Sequence, residues 1–313
     1  MGHPSCMTLD AILRFIERNF ILIALAMSAA ALAHPPCFTW IKPHIPLGLG
    51  IIMFGMGLTL DFEDFRDILR KWHLVGLGMV LQFAIMPSLA VGIAYALNLP
   101  AEAVVGMVVV GACPGGTASN VIAYLARANV PLSVTLTLAS TCLAPVLTPA
   151  IIYFLLKQQV EIDFWSMAMS VFWIVVFPLM DGLILRRLFR KRLESILRCF
   201  PALSIAVITL LVACIIGLNQ QTLLAFPVLV LLAVILHNGL GLTAGYGIAR
   251  LFRCSKRDAR TLAIEVGMQN SGLGVALSIK FFGPAMALPG ALFSLWHNLS
   301  GVTLAKRWRT LSD

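Results

Sequence analysis

Glu265-Val266-Gly267-Met268-Gln269-Asn270-Ser271-Gly272 lies inside an otherwise apolar segment, residues 259–282. A carboxylate, two amides and two glycines in the middle of such a run break its pattern. A second stretch of the same kind is Ala112-Cys113-Pro114-Gly115-Gly116-Thr117-Ala118-Ser119-Asn120, inside the apolar segment 101–126. Breaking a helix in lipid frees backbone N–H and C=O groups that cost several kcal/mol unless something satisfies them. Two breaks crossing near a bilayer midplane would gather carbonyls, which suit cations, and helix N-termini, which suit anions.

The rest of the chain supplies the membrane context. Of its 313 residues, 59% are hydrophobic and 12% charged, against about 25% charged in a soluble domain. The mean hydropathy is +0.92. Apolar runs of about 20 residues recur from end to end, as in helical membrane proteins. They cover residues 18–34, 45–60, 73–97, 101–126, 130–156, 164–185, 199–218, 223–249, 259–282 and 285–305. The alternating ten-residue segments of a β-barrel do not occur. The predicted class is therefore an all-α polytopic membrane protein with ten transmembrane helices.

Charge sets the orientation. Twenty of the 23 Lys and Arg residues fall at the termini or in alternate loops. They are Arg14 and Arg18; Arg66, Arg70 and Lys71; Arg127; Arg186, Arg187, Arg190, Lys191, Arg192 and Arg198; Arg250, Arg253, Lys256, Arg257 and Arg260; and Lys306, Arg307 and Arg309. The opposite side holds Lys42, Lys157 and Lys280. The positive-inside rule then places both termini in the cytoplasm and requires an even number of spans. The net charge of +9 is explained by contact with anionic lipid headgroups, without nucleic acid. Asp10, Arg14, Glu17 and Arg18 argue against a cleaved signal peptide. Seven cysteines (Cys6, Cys37, Cys113, Cys142, Cys199, Cys214 and Cys254) are odd in number and lack a C-x-x-C, so they read as free thiols.

Ten spans divide into 1–157 and 158–313, five each. If the halves share a fold, an odd number per half makes the second inverted relative to the first, and the interrupted segments are fourth in each half. Such interruptions at corresponding positions point to a transporter's binding site.

Glu265 is the most informative residue, because an acid deep in a span is costly unless partnered. Asp181 is its rival, but Arg186 and Arg187 follow it closely and place it near the cytoplasmic end of its span. No Lys or Arg is deep enough to pair with Glu265, which leaves a proton or a metal cation. The oxygens of Ser119, Asn120 and Gln269 favour Na+. Gln82 is mid-span and has a plainer reading as an interhelical hydrogen bonder. Ser133 and Thr137 share a helix face, though such residues often bond to their own helix. His237-Asn238 and His297-Asn298 are buried polar pairs without the Cys or acid of a transition-metal site. Asn298-Leu299-Ser300 matches a glycosylation sequon but lies within a span. Phosphate-cradling loops, nucleophile elbows and zinc-protease motifs do not occur, and the expectation is that the protein is not an enzyme.

Three stretches carry a family resemblance. They are Gly116-Thr117-Ala118-Ser119-Asn120; Ala263-Ile264 followed by the run from Glu265 to Gly272; and Leu288-Pro289-Gly290-Ala291 with Trp296-His297-Asn298. Over nearly its whole length the chain resembles the bile acid:sodium symporter family, in its bacterial branch. The resemblance implies a core domain of spans 3, 4, 5, 8, 9 and 10, and a panel domain of spans 1, 2, 6 and 7. It implies that spans four and nine break and cross. One sodium site would use Ser119, Asn120, Ser133, Thr137 and Glu265. A second would use Gln82, Glu265, Gln269 and the backbone oxygens of Val266 and Met268. Substrate would lie near Thr117, Ala118, Asn270, His297 and Asn298. The implied activity is symport of a small organic anion, bile acid-like or pantoate-like, with two Na+ by alternating access. The implied place is a bacterial inner membrane, with lipid as the surrounding partner and no oligomer required. A proton-coupled carrier, and a sensor or intramembrane enzyme, are the alternatives.

Overall fold

The computed structural model describes residues 19–189, 199–221 and 227–310. All regular elements among them are helical. They are α1 (Phe20–Ala33), α2 (Ile45–Gly57), α3 (Phe62–Arg70), α4 (Trp72–Ala96), α5 (Ala101–Gly111), α6 (Ala118–Leu125) and α7 (Val130–Leu156). There follow α8 (Phe164–Phe189), α9 (Phe200–Leu218), α10 (Pro227–Leu251), α11 (Lys256–Gly267), α12 (Ser271–Phe281) and α13 (Leu288–Thr310). Cys6, Asp10, Arg14, Glu17, Arg18, Arg190, Lys191, Arg192, Arg198 and positions 223–226 of the eighth apolar segment lie outside the described residues.

Among the described residues, five helical stretches are long and apolar enough to cross a membrane: Pro36–Gly57, α4, α7, α8 and Val228–Leu251 of α10. Their outward faces carry Val80, Val146, Phe154, Trp173 and Val228, all well exposed. A soluble monomer rarely shows so much apolar surface. The chain is a multi-pass membrane protein.

Several boundaries differ from the expected ones. The second segment, 45–60, ends as a helix at Gly57 and is preceded by the short helix Pro36–Thr39 and a 3-10 turn at Lys42–His44. The segment 101–126 is two helices, α5 and α6, and 259–282 is two, α11 and α12. The last helix runs to Thr310 rather than 305, because Lys306, Arg307 and Arg309 are good helix formers with no breaker among them. Arg66 and Arg70, expected in a loop, lie on α3, and Lys71 caps its end. A capping box starts that helix: the backbone N–H of Asp61 donates to Asp64 Oδ2 at 2.7 Å. Ile68 of α3 packs on the buried cluster of Met56, Leu60, Leu138, Leu179 and Leu183. Asp181 is exposed on α8, which leaves Glu265 as the buried acid among the described residues.

Two features of the packing matter for the site. First, α2 and α8 approach backbone to backbone. A Cβ on Gly57 would stand 2.0 Å from the carbonyl oxygen of Leu179, and one on Gly182 would stand 2.2 Å from that of Phe54. Small residues at a membrane helix crossing permit this. Second, α4 and α8 each contain a π turn, at Leu81–Ile85 and Phe172–Val176, just before Pro87 and Pro178. Proline lacks an N–H and clashes with the carbonyl four residues back, and the widened turn absorbs both defects. In α4 that turn carries Gln82.

Helix contacts concentrate in two groups, joined by the packing of α7 on α8 and of α9 on α13. In one, α9 packs on α1 and α2, and α2 on α8. In the other, α10 packs on α11, α4 on α5, and α13 on α10 and α12, with α7 against α6 and α11.

Candidate functional site

Ala112 to Thr117 separate α5 from α6, and Met268 to Asn270 separate α11 from α12. The two interruptions run antiparallel, bridged at Gly115 and Gln269. The N–H of Gly116 donates to Met268 O at 2.7 Å, and the N–H of Asn270 donates to Pro114 O at 2.8 Å. Side chains of surrounding helices meet other freed groups. Thr148 Oγ1 donates to Ala112 O (2.8 Å), Gln82 Nε2 to Cys113 O (2.7 Å) and Asn238 Nδ2 to Gly267 O (2.8 Å). Gly115 N–H donates to Ser140 Oγ at 3.2 Å. Satisfying broken backbone from within the protein is what makes it tolerable at membrane depth.

Glu265 sits in the last turn of α11 and is 4% exposed. Its Oε1 accepts from Ser119 Oγ at 2.6 Å and from Ser133 Oγ, and its Oε2 accepts from Thr137 Oγ1 at 2.8 Å. Gly115 lets the carboxylate approach: a Cβ there would be 2.9 Å from Oε2. The ion pairs among the described residues all lie elsewhere, with Arg70 and Lys71 on Asp67 and Arg186 on Asp61.

The hydroxyls around Glu265 have more acceptors than hydrogens. Ser119 Oγ is 2.6 Å from both Glu265 Oε1 and Gly116 O, yet carries one proton. Thr137 Oγ1 faces Glu265 Oε2, the Ser133 carbonyl at 3.0 Å and Asn120 Oδ1 at 3.4 Å. A surplus of hard oxygen acceptors around one carboxylate matches the donor set of an alkali or alkaline-earth cation. Hydroxyl protons can rotate away and leave two lone pairs on each oxygen for it.

Gln82, Gln269, Val266 and Met268 meet at the same crossing in a different arrangement. Gln82 Nε2 donates to Gln269 Oε1 at 2.7 Å, and Gln269 Nε2 donates to Val266 O at 2.9 Å. Met268 O is taken by the bridge to Gly116. The two glutamines are therefore bonded to each other, and the hydrogen bonds of the Glu265 carboxylate go to the three hydroxyls. Each carbonyl keeps a second lone pair.

Beside the crossing is a cleft of about 60 Å3. Thr117, Ala118, Asn270, His297 and Asn298 all line it. Its opposite wall is apolar, from Leu49, Ile52 and Met53 of α2 and from Leu211 and Val212 of α9. Asn270 caps α12, with its Oδ1 accepting from Leu273 N–H at 3.1 Å, and Thr117 is the N-cap residue of α6. Both N-termini thus open at the cleft, and their partial positive charge favours an anion there. Asn298 Nδ2 donates to Ser294 O at 2.7 Å. His237, from the other buried pair, places Nε2 2.9 Å from Met86 O, beside the π turn of α4.

Sequence reasoning missed Ser140, Thr148 and the Ser271–Ser294 hydroxyl pair, 2.6 Å apart in the cleft wall. Ser140 was within reach, because it extends the helix face of Ser133 and Thr137 by one turn. Thr148 gave no signal, since its partner Ala112 lies in the break after α5, distant in sequence.

A buried carboxylate among hydroxyls, where the breaks between two pairs of helices cross beside a cleft, resembles the construction of a secondary transporter's site. The chain belongs to the Sodium Bile acid symporter family, whose model matches residues 46–226. It is 43% identical over 294 residues to the uncharacterized sodium-dependent transporter YocS of Bacillus subtilis (strain 168), covering 94% of this chain and 92% of that protein. It is 38% identical over 280 residues to the probable chloroplastic sodium/metabolite cotransporter BASS1 of Arabidopsis thaliana, covering 89% of this chain and 70% of the relative. A further Arabidopsis relative, the probable sodium/metabolite cotransporter BASS5, is 31% identical over 319 residues, covering 98% of this chain and 77% of that one. The family and these relatives are transporters, not enzymes.

Proposed function

We propose that this protein is a sodium-coupled symporter of small organic anions working by alternating access, with two Na+ carried per anion. The observation that carries the reading is the Glu265 carboxylate, buried at the crossing with three hydroxyls and no basic partner among its hydrogen bonds. The names of the relatives, sodium-dependent transporter and sodium/metabolite cotransporter, support Na+ as the coupling ion.

In this reading one Na+ binds among Ser119, Asn120, Ser133, Thr137 and Glu265. The other binds beside Gln82 and Gln269, with Glu265 and the carbonyls of Val266 and Met268, once the two amides part. The anion then sits in the cleft at the N-termini of α6 and α12, near Thr117, Ala118 and Asn270, with His297 and Asn298 on its flank. Without the cations, anion and carboxylate would repel by kcal/mol in a low-dielectric site, and that repulsion is the coupling. A tenfold Na+ gradient contributes about 1.4 kcal/mol per ion. One net charge crossing ~100 mV adds about 2.3 kcal/mol. The sum of about 5 kcal/mol sustains accumulation of roughly a few thousand-fold.

The accompanying architecture is ten spans in two inverted repeats, 1–157 and 158–313, with both termini cytoplasmic in a bacterial inner membrane. α5 with α6, and α11 with α12, each make one span. The two contact groups serve as panel (spans 1, 2, 6 and 7) and core (spans 3, 4, 5, 8, 9 and 10), and the core rocks against the panel. No oligomer is needed.

Replacing Na+ by K+ at fixed pH tests the reading. Purified protein is melted against a panel of organic acids, bile acids and short hydroxy acids among them, in each salt. A stabilising acid is expected to raise the melting temperature in Na+ and to lose that effect in K+. The same response in both salts rejects sodium coupling.

A further inference from the structure

Three Lys residues stand on the sparsely charged side of the chain, and two of them, Lys42 and Lys280, line one crevice of about 260 Å3. One wall is the turn before α2, with Lys42 and Ile45; the other is the end of α12, with Ala276, Ile279 and Lys280. Lys42 is exposed. Lys280 Nζ donates to Ser170 Oγ of α8 at 2.7 Å and lies 5.5 Å from the ring centre of Phe281. Neither Lys forms an ion pair with an acid among the described residues. Two ammonium-bearing side chains at one hollow, neither in an ion pair among the described residues, attract anions, and low-dielectric walls focus that field.

The crevice shares its walls with the cleft. Ile45 lines the crevice and Leu49 the cleft, one turn of α2 and roughly 6 Å apart along the axis. On α12, Ala276 lines the crevice and Val275 the cleft. These four side chains are buried within a single apolar cluster. The seam between α2 and α12 thus holds a cationic hollow at one end, the cleft further in, and a dry apolar plug between them.

We infer that the Lys42–Lys280 crevice is a second anion-binding site, the outer collecting mouth of the transport route. It takes organic carboxylates or sulfonates before the plug of Ile45, Leu49, Val275 and Ala276 opens. Lys42 and Lys280 act there by charge, gathering the anion from solution ahead of the cleft.

The test places a reporter cysteine in the crevice, Ile279→Cys, in a Cys37→Ser background that removes the exposed thiol of the nearby turn. Its labelling rates are compared for two thiol reagents of similar size, sulfonatoethyl methanethiosulfonate (an anion) and trimethylammonioethyl methanethiosulfonate (a cation). A shift in thiol ionisation changes both rates together, so the anion-to-cation ratio isolates the field. In Lys42→Gln/Lys280→Gln the ratio is expected to fall by about tenfold at low ionic strength, and the difference shrinks in salt as charges more than about 10 Å apart are screened. Ser170→Ala, which removes the Lys280 hydrogen bond and keeps the charge, retains the ratio. Lys157→Gln also retains it. An unchanged ratio in the double variant, or an equal fall in Lys157→Gln, overturns the inference. Assigning the collected anion to the transported one rests on the symporter reading, but the reagent ratio is read without Na+ or uptake. Loss of the Na+ over K+ preference would overturn that reading and leave the ratio as it is.

Discussion

Glu265→Gln is expected to abolish the stabilisation of this protein by Na+ while leaving it folded. The amide has nearly the volume of the carboxylate, and its oxygen can still accept from Ser119 and Ser133, so the crossing keeps its packing. What goes is the one negative charge in a site otherwise made of neutral oxygens. In the parent protein, Na+ at a hundred times its dissociation constant adds about 2.7 kcal/mol to stability. In the variant the melting temperature should be the same in Na+ as in K+, and Na+-driven uptake should fall to background. Ser133→Ala and Thr137→Ala remove one neutral ligand each and should weaken the Na+ response without eliminating it. A Glu265→Gln protein that still melts higher in Na+ would show that the ion binds elsewhere.

Gly116→Ala is the second large effect, and it acts on the frame. A Cβ at Gly116 would lie 2.6 Å from Gln269 O, 3.0 Å from its carbonyl carbon and 3.2 Å from Met268 O. These are backbone atoms of the opposing interruption and cannot rotate aside. The strands of the crossing must separate, which strains or breaks the Gly116–Met268 hydrogen bond and displaces Gly116 O from Ser119. Overpacking of this kind costs about 1–3 kcal/mol. Because the same shift moves Ser119 off Glu265, the Na+ response should go with the stability. Gly92→Ala on α4 is the control: nothing lies within 4 Å of the added methyl. It should be neutral, or stabilising by up to about 1 kcal/mol through helix propensity. Equal melting temperatures for Gly116→Ala and the parent would contradict the crossing geometry.

How much of this was legible beforehand depended on whether a residue's cost was local. Glu265 stood out because a carboxylate in an apolar run is expensive wherever the partners are. The break between α5 and α6 was visible in Pro114-Gly115-Gly116. The break between α11 and α12 contains no proline, and was legible through Gln269 and Asn270 with Gly267 and Gly272 around them. The amphipathic helix α3 reads as a loop from its charge, although Asp61 and Asp64 have the spacing of a capping box. The Gln82–Gln269 bond joins residues 187 positions apart, and no periodicity along the chain predicts it. Asn238 was noticed as a buried polar group, but its task, holding the last carbonyl of α11, appears only when α10 is packed on α11. Local chemistry told where the site is; which side chains hold its backbone open is decided by tertiary contacts.

Equilibrium binding of radioactive sodium to the purified protein, with K+ as the competing salt, tests the central claim most directly. The prediction is saturable Na+ binding that excess K+ fails to displace and that vanishes in Glu265→Gln. Binding that survives that substitution unchanged, or no saturable binding in the parent protein, would contradict the assignment of this buried carboxylate as the ion site.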